Sequence, residues 1–314
     1  MSDAVSQRIA RDDFQATSDP GLIESADRAD ANLLSYGELY RLWERQQWRT
    51  QDIDFSQDRI DWHERIPDEE RFQRMYGLSS FFIGEQRVAE ELGPMMRACP
   101  DEEMRIFVAT QLADEARHTV FFARFFKEVL EIDKTRLEDT LENIQQYMNK
   151  HLQYILIDSL SDVAERIRQE PTNLAHLIEG ITLYHVIVEG TMALAGQRGI
   201  LEFYRQNNLF PAFRGGFTAV ARDESRHVVF GVKFLREMIQ RDAANARVVK
   251  AAIDKYAQVA FTALTPADEN IPDILAMQQD PWVSPRYALD SLRKKIKVIG
   301  LSMDLPVVPP PPLF

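Results

Sequence analysis

Cysteine is nearly absent from this 314-residue chain; Cys99 is the only one. An internal disulfide is therefore impossible, and the expected setting is a reducing, cytoplasmic one. Zinc-type Cys/His spacing is also missing. Positive charge is in deficit, with 37 Lys and Arg against 49 Asp and Glu, a net charge of −12. That balance argues against a general nucleic-acid surface, which needs a basic stripe. The N-terminus lacks a basic segment followed by an apolar run, so no signal peptide is expected. No apolar stretch approaches the ~20 residues that span a bilayer, so no transmembrane segment is expected. Alternating strand runs of useful length, a glycine-rich phosphate loop and a defensible Ser/His/Asp set are absent too. These exclusions leave an ordinary soluble composition, 45% hydrophobic and 27% charged, on a chain long enough for one large or two small domains.

What stands out is a repeated pentapeptide. Asp114-Glu115-Ala116-Arg117-His118 and Asp223-Glu224-Ser225-Arg226-His227 both read D-E-x-R-H. A Glu and a His three apart on a helix share one face, so each copy can offer a carboxylate and an imidazole to one metal ion. A known bundle arrangement adds one Glu from each of two further helices. Glu85 and Glu189 supply them, in the order Glu, Glu-x-x-His, Glu, Glu-x-x-His. The surroundings are apolar: Ile106, Phe107, Val108 and Leu112 precede Glu115, and Phe121, Phe122, Phe125 and Phe126 follow His118. Charges in such settings must be paired or bound to metal. The alternative is two helical faces with ordinary Glu–His contacts.

The helical pattern is nearly continuous. Apolar periodicity predicts helices from Tyr36 to about Trp48, then over about 68–97, 101–131, 135–169, 172–206, 208–241 and 245–264, with a short one near 285–298. Pro67 suits a helix start, Asp101 can cap the next helix, and Pro171 and Pro211 mark breaks. Glu85 has Phe81, Phe82 and Val88 on its side, so it points with the apolar stripe. Gly190 beside Glu189 leaves room for a neighbouring backbone or ligand. The expected fold is all-α, with a four-helix core and extra helices around it. Its predicted divisions are a flexible extension over 1–34, a di-metal helical domain over 35–265 and a C-terminal extension over 266–314 with a proline-rich tail.

Four buried glutamates cannot all stay ionised without cations. Oxygen ligands with one imidazole per metal suit iron and manganese. Carboxylates that switch between terminal and bridging modes fit oxygen activation. Asp114 and Asp223 are candidates to accept a hydrogen bond from a ligand imidazole, and Arg117 and Arg226 read as structural ion-pairing residues.

From about Tyr40 to Arg241 the chain resembles the ribonucleotide reductase small-subunit superfamily, a ferritin-like group. Trp48, Asp52-Ile53-Asp54-Phe55-Ser56-Gln57-Asp58-Arg59 and Trp62 look like its opening segment, and the four ligand helices follow in order. Two departures stand against a reductase subunit. Phe122 occupies the place of the radical tyrosine, and the tail ends Pro-Pro-Leu-Phe without the radical-transfer tyrosine. The chain is more similar to the ligand-binding oxidase branch. There the resemblance implies a manganese/iron pair, a long-chain fatty acid at the metals, a homodimer, and a tyrosine–valine ether cross-link. The valine lies three after the first Glu and the tyrosine five before the third, which here are Val88 and Tyr184. The same resemblance implies Glu85, Glu115 and His118 on a first metal, manganese, and Glu189, Glu224 and His227 on a second, iron, with Glu115 bridging. An iron/iron pair is the alternative filling. On ideal spacing Tyr184 lies about 140° round its helix from Glu189, so it is expected beside the metal-facing stripe, toward an adjacent helix. Against this two-electron oxidase stand a reductase small subunit, which needs a large-subunit partner, a ferritin-like iron oxidase or store, and a metal-free helical scaffold.

Overall fold

The computed structural model describes residues 33–132, 137–146 and 148–313. The expected N-terminal extension lies, up to residue 32, outside the described residues. Among the described residues there is no strand, and the architecture is all-α, as expected.

The chain enters through α1 (Tyr36–Arg45), which starts on a reciprocal cap: Ser35 Oγ accepts from the Glu38 amide and Glu38 accepts from the Ser35 amide. A short 3-10 turn and α2 (Ser56–Ile60), extended by a π turn over Asp61–Arg65, lead to the four long helices of the core. These are α3 (Asp68–Ala98), α4 (Glu102–Glu128), the run Leu174–Gln206, here α7, and α8 (Pro211–Arg241). Between α4 and α7 lie α5 (Leu137–Gln145) and α6, a run over 150–169 with a π-helical stretch Tyr154–Ser159 inside it. Behind α8 come α9 (Asn245–Leu264), α10 (Ile271–Ala276) and α11 (Val283–Ile299). The expected caps hold: Asp101 accepts from the Met104 amide, and Pro211 is the first residue of α8. The helix expected over 135–169 is instead divided. Asn149 accepts from the His151 and Leu152 amides and starts a fresh helix there.

The opening segment has a mechanical role. Asp58 accepts hydrogen bonds from the Ala212 and Phe213 amides, and Asp61 from the Phe210 amide. Together they satisfy the free N–H groups at the start of α8. Phe210 sits there at φ 50, left-handed, and Arg65 donates to the Asn207 and Asn208 carbonyls of the same turn. The helix that carries the second motif is thereby fixed at its N-terminus.

Leu174–Gln206 is long and apolar enough to cross a membrane by length and composition alone. It is a core helix: 83% of its most apolar window is buried inside the protein. It is also not a uniform α-helix. Leu174–Ile181 is α, Thr182–Ala193 is π, and Leu194–Gln206 is α again. Bonding from i to i+5 widens the turn and brings residues five apart closer to one face than α-helical spacing does. Tyr184 reaches an adjacent helix, as expected, but it does so at Glu115 on α4 and not beside the acidic face.

Candidate metal centre

The four core helices turn their acidic residues toward one another. Glu85 on α3, Glu115 and His118 on α4, Glu189 on α7, and Glu224 and His227 on α8 are all buried. Ligand atoms of Glu85, Glu115 and His118 lie within 4.8 Å of one another, and so do those of Glu115, Glu189 and His227. Glu115 belongs to both triads. Glu224 belongs to neither but lines the same cavity as Glu85, Glu115 and Glu189.

Both histidines present Nδ1 to the carboxylates. His118 Nδ1 is 3.1 Å from Glu85 Oε2 and 3.3 Å from Glu115 Oε2. His227 Nδ1 is 3.0 Å from Glu189 Oε1 and 3.2 Å from Glu115 Oε1. Their far nitrogens are held crosswise. His118 Nε2 donates to Asp223 Oδ2 at 3.3 Å, and His227 Nε2 donates to Asp114 Oδ2 at 3.2 Å. Each motif's Asp thus supports the other motif's His. Buried Arg226 joins Asp114 and Asp223, and Arg117 reaches both from the opposite side. The indole N–H of Trp43 donates to Asp114 and that of Trp48 to Asp223.

Charge in this pocket is unbalanced. Burial pushes Glu85 up to about 8 and Glu189 up to about 7, against the pull of His118 and His227. Burial also raises Glu224 well above the carboxylate range, with the Glu85 and Glu189 charges adding to it. For Glu115, burial works against ionisation but hydrogen bonds to both histidines outweigh it and hold the group low. Burial opposes charge on His118 and His227 as well; carboxylate neighbours overcome it and raise both. Glu189 Oε2 is buried with no hydrogen-bond partner, an open ligand atom aimed into an anionic pocket. The donor set fits two hard divalent ions.

Tyr184 donates from its hydroxyl to Glu115 Oε1 at 2.8 Å. Burial first, then the Glu115 and Glu189 charges, raise its pKa well above the phenol range. Val88, on the same stretch of α3 as Glu85, lines an apolar cavity of about 330 Å³ with Phe81, Leu152, Leu156, Met192 and Ile200. The four glutamates close the polar end of that cavity. Phe122 lies on the other side, packed with Phe81, Phe82, Phe121, Phe213 and Phe217.

Two residues of the site escaped the sequence reading. Gln111 donates to Glu189 Oε1 at 3.4 Å and accepts from His185 Nε2 at 3.0 Å. Burial, then the nearby His227 charge, lowers His185 to about 3, so it stays neutral. The available signal was Gln111 itself, a polar residue one turn before Glu115 on the apolar face.

The sequence profile of the ribonucleotide reductase small chain matches residues 32–269. The chain belongs to that family. Among solved structures, the small-chain fold found here is shared with R2-like ligand-binding oxidases. A glycine-to-leucine mutant with an anaerobically reconstituted Mn/Fe cofactor superposes with TM-score 0.73 at 23% identity, covering 86% of this chain and 94% of that one. A tyrosine-to-phenylalanine mutant with an aerobically reconstituted Mn/Fe cofactor gives 0.73 at 22%, with the same coverage. A third, carrying a non-activated Mn/Mn cofactor, gives 0.73 at 23%, covering 86% and 93%. At this identity the likeness is one of fold.

Proposed function

We propose that this small-chain family member is an oxygen-using two-electron oxidase with a manganese/iron pair, of the ligand-binding oxidase kind. The observation that carries the reading is Tyr184: its hydroxyl bonds Glu115, the carboxylate common to both triads. Glu85, Glu115 and His118 would hold manganese, and Glu189, Glu224 and His227 would hold iron, with Glu115 common to both triads. An iron/iron pair is the alternative filling of the same ligands. A divalent metal pair bound there would supply two electrons for the reduction of dioxygen. The protein supplies two more. Joining Tyr184 to Val88 forms an Oη–Cβ bond and breaks Oη–H and Cβ–H. The two electrons and two protons so released, with two further protons from solvent, complete reduction of dioxygen to two waters. The hydrogen bond to Glu115 Oε1 keeps the proton on the Tyr184 oxygen and aims it at that carboxylate, and the apolar wall of the cavity excludes bulk water from Val88.

The same cavity suits a long-chain fatty acid or similar amphiphile, with its tail along Phe81, Leu156, Met192 and Ile200 and its carboxylate at the glutamate end. The Phe122 cluster offers no hydroxyl for a stable radical, which counts against a reductase radical subunit. A homodimer is supported by the outer face of α4. Ile106, Ala109, Ala113, Ala116 and Val120 are all exposed, at alternating spacings of three and four, as in a helix–helix seam. Ile106 and Val120 lie seven residues either side of Ala113, so an antiparallel crossing of two copies centred there sets Ile106 of one against Val120 of the other. The lone buried thiol suits a cytoplasmic setting.

Metal analysis of the purified protein and of Glu115→Ala tests the ligand assignment. Two first-row metals per chain are expected, with at least one lost from the variant. Two retained metals with unchanged spectra would remove Glu115 as the bridge.

A further inference from the structure

Helix α11 lies beyond the family match, which ends at residue 269, yet it packs on the π-helical part of α7. Two polar residues make a specific contact there. Ser291 is buried and donates its hydroxyl proton to the Gly190 carbonyl at 2.8 Å. Lys295, only 3% exposed, donates from Nζ to the Ser291 oxygen at 2.6 Å. A hydroxyl has one proton, so the direction is fixed: ammonium to hydroxyl to carbonyl, each bond polarising the next.

The position of that carbonyl gives the contact its meaning. Gly190 directly follows Glu189. In an α-helix its carbonyl would accept from Leu194. Here the Leu194 amide bonds the Glu189 and Thr191 carbonyls instead and passes over Gly190. A buried carbonyl needs a donor, and Ser291 provides one. Gly190 itself makes the approach possible. A Cβ there would stand 2.7 Å from Lys295 Cε and 2.8 Å from the His185 carbonyl, closer than such atoms can come.

We propose that Ser291 and Lys295 are positioning residues that clamp α7 in its π-helical register and so aim Glu189 and Tyr184 together at the metal centre. If the stretch relaxed to an α-helix, Gly190 would regain its Leu194 donor, and Tyr184 would turn to about 140° from Glu189. The Ser291 bond lowers the gain from that exchange, because the carbonyl already has a donor in the π register. The consequence for metals rests on the oxidase reading above; the clamp itself does not.

Two measurements on the full chain separate these points. The first is amide hydrogen exchange on metal-free protein, comparing wild type with Ser291→Ala, Ser291→Thr and Lys295→Met. Ser291→Ala and Lys295→Met should speed exchange within 182–193 by about tenfold, the size expected for one lost buried hydrogen bond. Exchange in α4 and α8 should be unchanged, and Ser291→Thr should restore protection. Unchanged exchange in 182–193, or equal acceleration in all four core helices, would overturn the clamp. The second is metal retention against a chelator. Ser291→Ala should release the ion held by Glu189 and His227 before the one held by Glu85 and His118, with the order lost in Ser291→Thr. Local acceleration in a protein whose wild type binds no metal would uphold the clamp and sink the oxidase reading instead.

Discussion

Oxygen exposure of the reduced, metal-loaded protein should join Tyr184 to Val88. Trypsin would otherwise release the two residues separately, Val88 in peptide 88–97 and Tyr184 in peptide 169–198. After the reaction they should appear as one branched species with the summed mass less two hydrogens. The geometry supports this more directly than helical spacing alone. Tyr184 faces Glu115 at 2.8 Å, and Val88 lies one turn past Glu85 on the cavity wall. Tyr184→Phe removes the oxygen that must bond, so the branched peptide should vanish while both metals stay. The variant also loses one buried hydrogen bond to a carboxylate, which costs about 1.5–3 kcal/mol in the metal-free protein. For a chain this size that lowers Tm by several degrees and leaves a folded protein to assay. Two unmodified peptides from fully loaded, oxygen-exposed wild type would refute the cross-link, and with it the main ground for preferring this oxidase to a reductase subunit.

Asp223→Asn should weaken the metal at His118, the histidine it supports, by about 10- to 100-fold; a loss falling on the His227 metal would contradict the crosswise pairing. Ala113→Arg places a charge at the centre of the exposed α4 stripe and should convert a dimer to a monomer in sedimentation, with metal content intact; an unaltered dimer would move the interface elsewhere. At Glu179, burial would raise the carboxyl, but hydrogen bonds from Arg166 and Tyr256 outweigh it and hold it at about 2. A depressed folded value gives stability that is complete above the usual 4.5 and drains away as pH falls toward 2. For this partly exposed group the effect is about 1–2 kcal/mol. Glu179→Gln should therefore narrow the gap in Tm to wild type across that window, and a constant gap would rule the linkage out.

The helices were legible because each buries one periodic apolar face, so the ends of α3, α4, α8 and α9 fall within a few residues of their expected places. The meeting of these carboxylates and histidines was legible because two identical motifs sit among phenylalanines. Four things were not. The π-helical stretch in α7 has no signature in a pattern read at the α-helical period, and that hid the reach of Tyr184 to Glu115. The break before Asn149 was masked by helical periodicity on both sides. Helix α11 was expected near 285–298 and runs over Val283–Ile299, but its place in the core was not legible, because Ser291 and Lys295 interrupt an apolar stripe whose Ala288, Leu292 and Ile296 are buried there. The choice of histidine for each Asp was also beyond sequence spacing, since it depends on two helices meeting.

The cross-support explains why a whole pentapeptide is repeated. Glu-x-x-His alone would suffice to bind an ion, but each copy here also carries the Asp that orients the other copy's imidazole and the Arg that ties the two Asp together. Selection on either motif is then selection on both, and α4 and α8 form a nearly two-fold half of the site. The other half is not two-fold. Glu85 rides on a regular α-helix, whereas Glu189 rides on a π-helical stretch with Gln111 and His185 behind it and the Ser291–Lys295 pair beside it. Glu189 also keeps an oxygen without a hydrogen bond. A manganese/iron pair needs two unlike sites, because identical ligand sets would be filled according to metal affinity and supply alone. On the oxidase reading the symmetric helices would furnish matched ligands, and the difference between the two sites would come from α3 and α7, the helices that also bring Val88 and Tyr184.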